Sequence, residues 1–422
     1  MRIVIVGGGI SGLVTALSLR AVGLEAVVLE RAGTLEPVGL GINLLPSAVR
    51  ELSELGLGDA LEEASVTPHR LAYCDRAGSP LWHENLGRPA GFRWPQCSVH
   101  RGVLQALLLR QVERRIPGAV RTGVSLLGFE TDGTGVDVHA YDRAADRNVT
   151  YRADVLIGAD GIDSQVRARL YPAEGPALWN GVHMWRGLST GVDLLDGRTV
   201  VVAGGTPGAK FIAYPVLAPV RPGDASRLGP ALNWVLETRP PAPAHEDLLV
   251  RRMTVGDLRD RLKGWNVGFL DMDALLAGAA GITRFPMLDR DPLPRWSFGP
   301  VTLLGDAAHP MYPMGMNGGT QSVIDARVVA HCLARATDPR RALHDYETIR
   351  RPRLNRLVRA NRLLGPERII KLVEQRGGGS APERLDRIAD HYKSLTRALP
   401  ADVNNAPSWS RPGPEPLAAD QS

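Results

Sequence analysis

The sequence predicts an α/β (α+β) fold in which a Rossmann-like nucleotide-binding domain carries an inserted antiparallel-sheet domain and C-terminal helices. Three observations predict it. An apolar run at residues 2–6 is followed directly by glycines and then by helical spacing over residues 13–22. Residues 179–298 hold short strand-like runs separated by Gly and Pro. A further apolar run at residues 301–304 precedes a second glycine-rich crossing and a helical stretch at 320–334.

The first glycine-rich segment, residues 7–12, matches G-x-G-x-x-G between a strand and a helix. Gly7 permits the tight turn, Gly9 lets a pyrophosphate approach the backbone, and Gly12 allows the helix to pack closely on the strand. The next predicted strand, residues 25–30, ends at an acid that can accept hydrogen bonds from a ribose. We therefore predict an adenine dinucleotide site formed by Gly7, Gly9, Ser11, Gly12, Glu30 and Arg31.

The second crossing indicates which dinucleotide is bound. Gly305 and Asp306 follow a buried strand, and a Pro- and Gly-rich loop then leads to a helix N-terminus. The Asp306 carboxylate can accept hydrogen bonds from ribityl hydroxyls, and the helix dipole favours an anionic reduced ring. This predicts FAD, with Pro313, Met314 and Gly315 facing the flavin ring. The same segment adds the cofactor-binding candidates Asp306, Gly315, Asn317, Gly318 and Gly319. We assign no acid or base, because His309 is expected to shape the loop.

A third motif supports this interpretation. Asp160 and Gly161 end the apolar run at 153–159, and Ser164 and Arg167 follow on a short helix. The three motifs, in this order and spacing, resemble those of the class A flavoprotein aromatic hydroxylases, the para-hydroxybenzoate hydroxylase superfamily. The resemblance implies that Asp160 and Arg101 contact FAD. Gly41, in the glycine-rich loop at 39–43, is also a predicted contact.

A closer resemblance lies in the second half of the chain. Segments at 184–187, 213–215, 233–235, 285–287, 289–294 and 311–315 look like those of 5-methylphenazine-1-carboxylate monooxygenase-like enzymes. This implies an aromatic or polycyclic substrate, and it allows hydroxylation with decarboxylation at a carboxyl-bearing carbon.

The inserted domain is expected to hold the substrate. Oxygenated reduced flavin decays in water, so the substrate needs a dry apolar pocket. Arg186 could hold a substrate carboxylate with its bidentate fork, although an arginine on a sheet is often a structural ion partner. Each aromatic candidate could equally belong to an ordinary core. The predicted pocket residues are Trp185, Arg186, Phe211, Tyr214, Trp234 and Tyr312.

Composition and charge exclude several other classes of protein. The chain has 422 residues and a net charge of +5, with the arginine excess concentrated at 340–362 on a helical pattern typical of a solvated face. We therefore expect no nucleic-acid partner. Three cysteines without C-x-x-C or metal-ligand spacing argue against a disulfide reductase and against a metal site. The chain starts with a strand, and no apolar run is long enough to span a membrane, so we expect a cytoplasmic protein. We also expect a monomer or homodimer.

The motifs also predict a domain organisation. Residues 1–70, 100–178 and 299–340 are expected to form the FAD-binding domain, and residues 71–99 and 179–298 the substrate domain. Helices are expected over 341–398, and a disordered tail over 399–422, where Pro and Ala are frequent.

These expectations combine into one functional prediction. The chain would be an FAD-dependent monooxygenase of secondary metabolism that consumes NAD(P)H and O2 and hydroxylates a small aromatic molecule through a flavin C4a-hydroperoxide. No second Rossmann unit is evident, so NAD(P)H would dock transiently. A flavin-dependent reductase or dehydrogenase without oxygen transfer is the main alternative. A non-catalytic carrier is a further one, and a halogenase would need a W-x-W-x-I-P motif that the sequence lacks.

Overall fold

The computed structural model describes residues 1–204, 209–221, 223–240, 248–259, 261–262, 265, 267–363 and 382–409. Within these ranges the strands are β1 (Ile3–Val6), β2 (Ala26–Glu30), β3 (Gly41–Leu44), β4 (Ser65–Val66), β5 (Arg70–Cys74), β6 (Pro80–Asn85), β7 (Cys97–His100), β8 (Val120–Thr122), β9 (Val124–Thr131), β10 (Val136–Asp142), β11 (Arg147–Ala153), β12 (Val155–Gly158), β13 (Leu178–Ser189), β14 (Thr199–Gly204), β15 (Lys210–Arg221), β16 (Asp224–Thr238), β17 (Arg251–Met253), β18 (Ala279–Asp289), β19 (Ser297–Phe298) and β20 (Val301–Leu303).

The helices of the same ranges are α1 (Ile10–Ala21), α2 (Pro46–Glu54), α3 (Gly58–Glu63), α4 (Arg101–Arg115), α5 (Gln165–Leu170), α6 (Val255–Arg259), α7 (Met272–Ala277), α8 (Asn317–Arg335), α9 (Pro339–Arg362), α10 (Pro382–Ser394) and α11 (Pro400–Asn405).

A six-stranded sheet, in the order β19-β20-β12-β1-β2-β8, forms the nucleotide-binding unit. Its strands are parallel apart from the β19–β20 pair. The β1 strand is apolar throughout because it is covered on both faces, and α1, α4 and α8 contribute to the same buried core. A strand, a glycine turn and a helix on a central parallel strand are the Rossmann-like arrangement that the sequence predicted.

The second large sheet has eight strands in the order β17-β18-β13-β16-β15-β14-β5-β6. Its pairs are antiparallel apart from β14 with β5. Strands β5 and β6 precede α4 in the chain, yet they extend the sheet formed by β13 to β18. The predicted fold class is confirmed, whereas the numbered domain boundaries stay a prediction.

The two faces of the eight-stranded sheet bury different side chains, because successive residues of a strand point to opposite sides. One face packs Trp185, Phe211 and Trp234 against helices α6 and α7. The other face carries Tyr73, Val202 and Tyr214, and it packs against α10. Strand alternation therefore decides which residues can line a site between this sheet and the nucleotide-binding unit.

Helix α10 is fastened to the sheet at its edge. Leu385 and Ala389 are buried in the apolar cluster of that face. Trp82 Nε1 donates to Asp386 Oδ1 at 3.0 Å, and Lys393 Nζ donates to Glu84 Oε2 at 2.5 Å. The sheet residues in these bonds, Trp82 and Glu84, both belong to β6, so α10 lies over the β6 edge of the sheet.

The prediction of a disordered tail from residue 399 is wrong for its first part. Residues Pro400–Asn405 form α11, and Val403 is buried. The segment is held by polar bonds that a count of Pro and Ala does not reveal: Asn404 Nδ2 donates to the Gly91 carbonyl, and Arg50 Nη2 donates to that of Ala406. Residues 410–422, the rest of the predicted tail, lie outside the described residues.

None of the helices in the described part of the chain combines the length and the apolar character that crossing a membrane requires.

Gly12 offers a test of how closely α1 packs on β1. A Cβ at this position would overlap the carbonyl oxygen of Gly7, whereas a Cβ at Gly33 would meet nothing within 4 Å. We expect Gly12→Ala to lower the free energy of unfolding by about 1–3 kcal/mol, the usual effect of overpacking. Urea unfolding in a fixed excess of FAD measures this, with Gly33→Ala as the matched control. Equal stability of the two variants would contradict the packing role.

Candidate active site

The turn between β1 and α1 presents open backbone amides. Gly7 has φ +109°, which favours glycine, and its N–H donates to the Leu29 carbonyl at 2.8 Å. A Cβ at Gly9 would meet nothing within 4 Å, and Gly9 caps α1 without any side-chain hydrogen bond. The free N–H groups of the first helical turn therefore lie where a pyrophosphate can reach them.

Glu30 ends β2 beside this turn. Its Oε2 accepts from the Gly8 N–H and its Oε1 from the Ala32 N–H, both at 2.7 Å. Each carboxylate oxygen keeps further acceptor capacity, so the predicted contact with ribose hydroxyls is compatible with these bonds. Glu30 and Arg31 both line the cavity described below.

The late corner begins at the end of β20. Gly305 has φ +60°, and its Cα lies so close to Ser11 that an added Cβ would meet the Ser11 Oγ at 2.7 Å. The corner therefore packs directly on the first turn of α1. Asp306 is exposed and faces the cavity, together with Pro313, Gly315 and the first residues of α8. Helix α8 also begins without a side-chain cap.

A buried carboxylate holds this corner in place. Asp325 Oδ2 lies 2.5 Å from His309 Nε2 and 3.2 Å from the Gly305 N, and its Oδ1 accepts from Arg350 Nε at 2.6 Å. Burial alone would raise the pKa of Asp325, but the charges of His309 and Arg350 outweigh it and hold the pKa below its usual value. His309 is buried and does not line the cavity, which agrees with the expected loop-shaping role.

The Asp160–Gly161 motif joins β12 to the same corner. Asp160 Oδ1 accepts from Ser164 Oγ at 2.5 Å, and its Oδ2 accepts from the Gln165 N–H at 2.7 Å. Burial raises the pKa of Asp160, and these bonds oppose the rise. The buried Arg167 donates from Nη1 to the carbonyls of Ala307 and Ala308, both at 3.1 Å. Arg167 therefore links the Asp160–Gly161 motif to the Gly305–Asp306 corner, a role that its position in the sequence did not reveal.

One continuous cavity of about 900 Å³ connects these elements. It runs from the glycine turn and Glu30, past Asp160 and Asp306, to the inner face of the eight-stranded sheet. Of the predicted cofactor-binding residues, all but Gly12 line it: Gly7, Gly9, Ser11, Glu30, Arg31, Gly41, Arg101, Asp160, Asp306, Gly315, Asn317, Gly318 and Gly319. Gly12 lies behind the turn and acts through packing.

The cavity fits FAD at both ends. Uncapped amides and an open glycine suit the pyrophosphate at the α1 end, and an exposed carboxylate beside an uncapped helix suits a ribityl chain and an anionic ring at the α8 end. Arg101 lines the wall between them, and its N–H donates to the Leu40 carbonyl at 2.9 Å.

Several predicted substrate residues lie elsewhere, and those predictions are wrong. Trp185, Phe211 and Trp234 point to the opposite face of the sheet, where Trp185 Nε1 donates to Thr238 Oγ1 and Trp234 Nε1 to Ser189 Oγ. Strand alternation is the reason, because Arg186 next to Trp185 does face the cavity.

Two residues of the flavin-side loop also differ from prediction. Tyr312 and Met314 pack with Val182 and Met287 in a separate apolar cluster and do not line the cavity. Pro313 and Gly315 do line the cavity. Successive residues of the loop therefore face the cavity and the apolar cluster in turn.

The sequence analysis missed the residues that replace them. Ile212, Val235 and Glu237 line the cavity from the sheet, at positions that alternation alone would have selected. Tyr392, Lys393 and Thr396 line it from the end of the chain. No sequence signal shows where this segment docks.

Arg186 is a charged group that lines the cavity from the sheet. It pairs with no carboxylate among the described residues, and its Nε is buried without a hydrogen bond. Its Nη2 donates to the Gly41 carbonyl at 3.2 Å. Burial lowers the pKa of Arg186, with Tyr214 opposing, and burial raises the pKa of Tyr214 to about 12.

Comparison with known proteins agrees with this geometry. The model of the family described as FAD binding domain matches residues 1–231 and 269–361. Phenazine 1,6-dicarboxylic acid hydroxylase PhzS of Lysobacter antibioticus is 44% identical over 402 residues, 93% of this chain and 96% of the relative. 3-Hydroxybenzoate 6-hydroxylase 1 of Aquipseudomonas alcaligenes is 29% identical over 367 residues, 84% of this chain and 86% of the relative. A single-residue variant of Klebsiella pneumoniae HpxO complexed with FAD superimposes with a TM-score of 0.70 at 25% identity, covering 96% of this chain and 94% of that one.

The fold, the cavity and these relatives define an FAD-dependent aromatic monooxygenase that uses NAD(P)H and O2, as the sequence predicted. The chain belongs to the FAD binding domain family, among the flavoprotein aromatic hydroxylases.

The Asp306 carboxylate provides a test of cofactor orientation. Asp306→Ala removes a charged acceptor, and hydrogen bonds to charged groups contribute about 1.5–3 kcal/mol, so the FAD dissociation constant should rise about 10- to 150-fold. Flavin fluorescence on dilution of the holoenzyme measures it. Asp345→Ala, which removes an exposed carboxylate paired with Arg341 on α9, is the control. Unchanged FAD affinity in the Asp306 variant would show that the ribityl chain lies elsewhere.

Proposed function

We propose that the substrate is an extended aromatic or polycyclic carboxylic acid and that Arg186 binds its carboxylate. The observation that carries this proposal is the half-buried Arg186 side chain, which faces the cavity with its Nε buried and with no carboxylate partner among the described residues. An unpaired buried cation is costly, and a planar guanidinium matches a carboxylate in geometry and charge. A substrate carboxylate would supply the missing partner.

The shape of the cavity supports an extended ring system. Its sheet-side lining includes residues of β13, β16, β15, β14, β5 and β6. Five inter-strand steps of about 4.8 Å give a wall roughly 24 Å wide. The middle of this wall is apolar, formed by Leu71, Val202, Ile212 and Val235. A polycycle could lie flat against it with its carboxylate at the β13 side.

Each part of the chain then has a defined task. Bound FAD supplies the oxygen-transfer chemistry, with NAD(P)H as reductant. Arg186 orients the substrate, while Met184 and Val235 present an apolar surface beside it. The α8 N-terminus stabilises negative charge on the reduced ring, and α10 covers the sheet face and excludes water.

The name of the Lysobacter relative, a phenazine 1,6-dicarboxylic acid hydroxylase, agrees with an acidic tricyclic substrate. We further propose a role in secondary metabolism. The composition of the product distinguishes two outcomes. If the carboxylate is retained, the product is the substrate plus one oxygen atom. If the hydroxyl group replaces the carboxylate, the product has also lost its carboxyl group as CO2. A cytoplasmic location, the monomer or homodimer state and the lack of a nucleic-acid partner stay predictions.

Oxygen stoichiometry tests the proposed reaction. With a panel of phenazine, quinoline and benzoic acids, we expect one substrate to accelerate flavin reduction by NAD(P)H and to gain one atom of ¹⁸O from labelled O2 per NAD(P)H consumed. Turnover that continues without O2 and leaves the product unlabelled would instead support the flavin-dependent reductase.

Arg186 offers a test of substrate class. Arg186→Gln should raise KM for the carboxylated substrate about 30-fold or more, because removing one partner of a buried charge pair costs at least about 2 kcal/mol. FAD affinity should stay unchanged. Steady-state kinetics with the acid and with its carboxamide separate the effects, since the carboxamide should show little difference between wild type and variant.

Arg261→Gln is the matched control, because Arg261 lies over Trp185 on the opposite face of the sheet. An equal loss with acid and carboxamide, or the same loss in the Arg261 variant, would refute a carboxylate contact at Arg186.

A further inference from the structure

The loop that faces the flavin side of the cavity has an unusual backbone. Gly315 has φ +62° and Met316 has φ +60°, so two consecutive residues adopt the left-handed conformation. This conformation is unfavourable for a residue with a Cβ, and Met316, the N-cap residue of α8, makes no side-chain capping hydrogen bond. Other groups must therefore stabilise the loop.

One of these groups is Tyr392 of α10. Its buried hydroxyl accepts from Asn317 Nδ2 at 3.2 Å. The same oxygen lies 2.6 Å from Asn361 Oδ1 and 3.1 Å from the Met314 carbonyl, and its single proton goes to one of these acceptors. Tyr392 thus contacts the loop both before and after its left-handed residues.

The ring of Tyr392 is fitted to the loop as well. A Cβ at Gly315 would overlap the tyrosine ring, so the backbone and the aromatic side chain are in close contact there. Asn361 of α9 completes the attachment, because its Nδ2 donates to the Tyr312 carbonyl at 3.2 Å. Together these two side chains hold the loop from Tyr312 to Asn317.

Tyr392 also lies in the cavity wall. It lines the cavity together with Ala389 and Lys393 of the same helix. Helix α10 is fixed to β6 through the Trp82–Asp386 and Lys393–Glu84 contacts. The family model ends at residue 361, so this helix lies beyond the residues that it matches.

We propose that Tyr392 is a positioning residue for the flavin. It keeps Gly315 and Met316 in the left-handed conformation, so that the loop of residues 313–317 seats the flavin ring, and it joins that loop to the wall of the substrate cavity. Its hydroxyl acts through the loop and takes no part in oxygen transfer.

The test compares Tyr392→Phe with Tyr171→Phe, using the FAD-loaded enzyme without substrate. Tyr171 donates its hydroxyl to the Arg295 carbonyl at 2.7 Å and does not line the cavity, so it is a matched control for the loss of one tyrosine hydrogen bond. The measurements are the FAD dissociation constant, from flavin fluorescence on dilution, and the visible circular dichroism of the bound flavin, which reports the setting of its ring.

We expect Tyr392→Phe to weaken FAD binding about fivefold, the effect of one neutral hydrogen bond, and to change the visible circular dichroism, whereas Tyr171→Phe changes neither. FAD affinity within twofold of wild type together with an unchanged spectrum would overturn the proposal. So would an equal change in the Tyr171 variant. Neither readout needs a substrate, so this outcome is independent of the Arg186 proposal.

A second variant keeps the test decisive if Tyr392→Phe does not fold. Asn361→Ala removes the other attachment of the loop and should weaken FAD binding in the same way. Where both variants fold, the double variant should lose less than the product of the two single effects, because both side chains hold one loop. Full FAD affinity in Asn361→Ala, or strictly multiplicative effects in the double variant, would contradict a shared positioning role.

Discussion

The parallel register of β1, β12 and β20 is the constraint on which the whole site depends. Val6 pairs with Gly158, and Gly158 pairs with Leu303, so the carboxyl ends of the three strands reach the same edge of the sheet. The glycine turn, the Asp160–Gly161 motif and the Gly305–Asp306 corner each follow one of these ends. Segments from the beginning, middle and end of the chain therefore meet at one cofactor site.

This edge is locked by polar contacts between the motifs as well as by the register. Arg167 joins the Asp160–Gly161 motif to the Gly305–Asp306 corner, Asp325 fastens the corner to α8, and Gly305 packs on Ser11. Each of the buried charges Arg167, Asp325 and Arg350 has an opposite charge within hydrogen-bonding distance. No carboxylate among the described residues pairs with Arg186, and this contrast supports the proposal that Arg186 binds an acidic ligand.

The sequence allowed the cofactor half of the site to be predicted because its determinants are local. A glycine turn or an Asp–Gly pair acts within a few residues of the strand that it follows. The substrate half depends on which side of a strand faces inward, and Trp185 and Arg186, adjacent in sequence, face opposite ways. Helix α10 was itself predicted, but its docking depends on contacts such as Trp82 with Asp386, which are distant in sequence. Composition likewise suggested disorder for a segment that Asn404 attaches to the backbone of Gly91.

A crystal structure of the enzyme with FAD and a polycyclic aromatic acid is the most direct test of this account. We expect the ribityl chain beside Asp306, the pyrophosphate on the amides that follow Gly7, and the carboxylate of the acid within hydrogen-bonding distance of Arg186 on the inner face of the sheet. An acid bound away from Arg186, or a flavin whose ring does not reach the loop of residues 313–317, would contradict it.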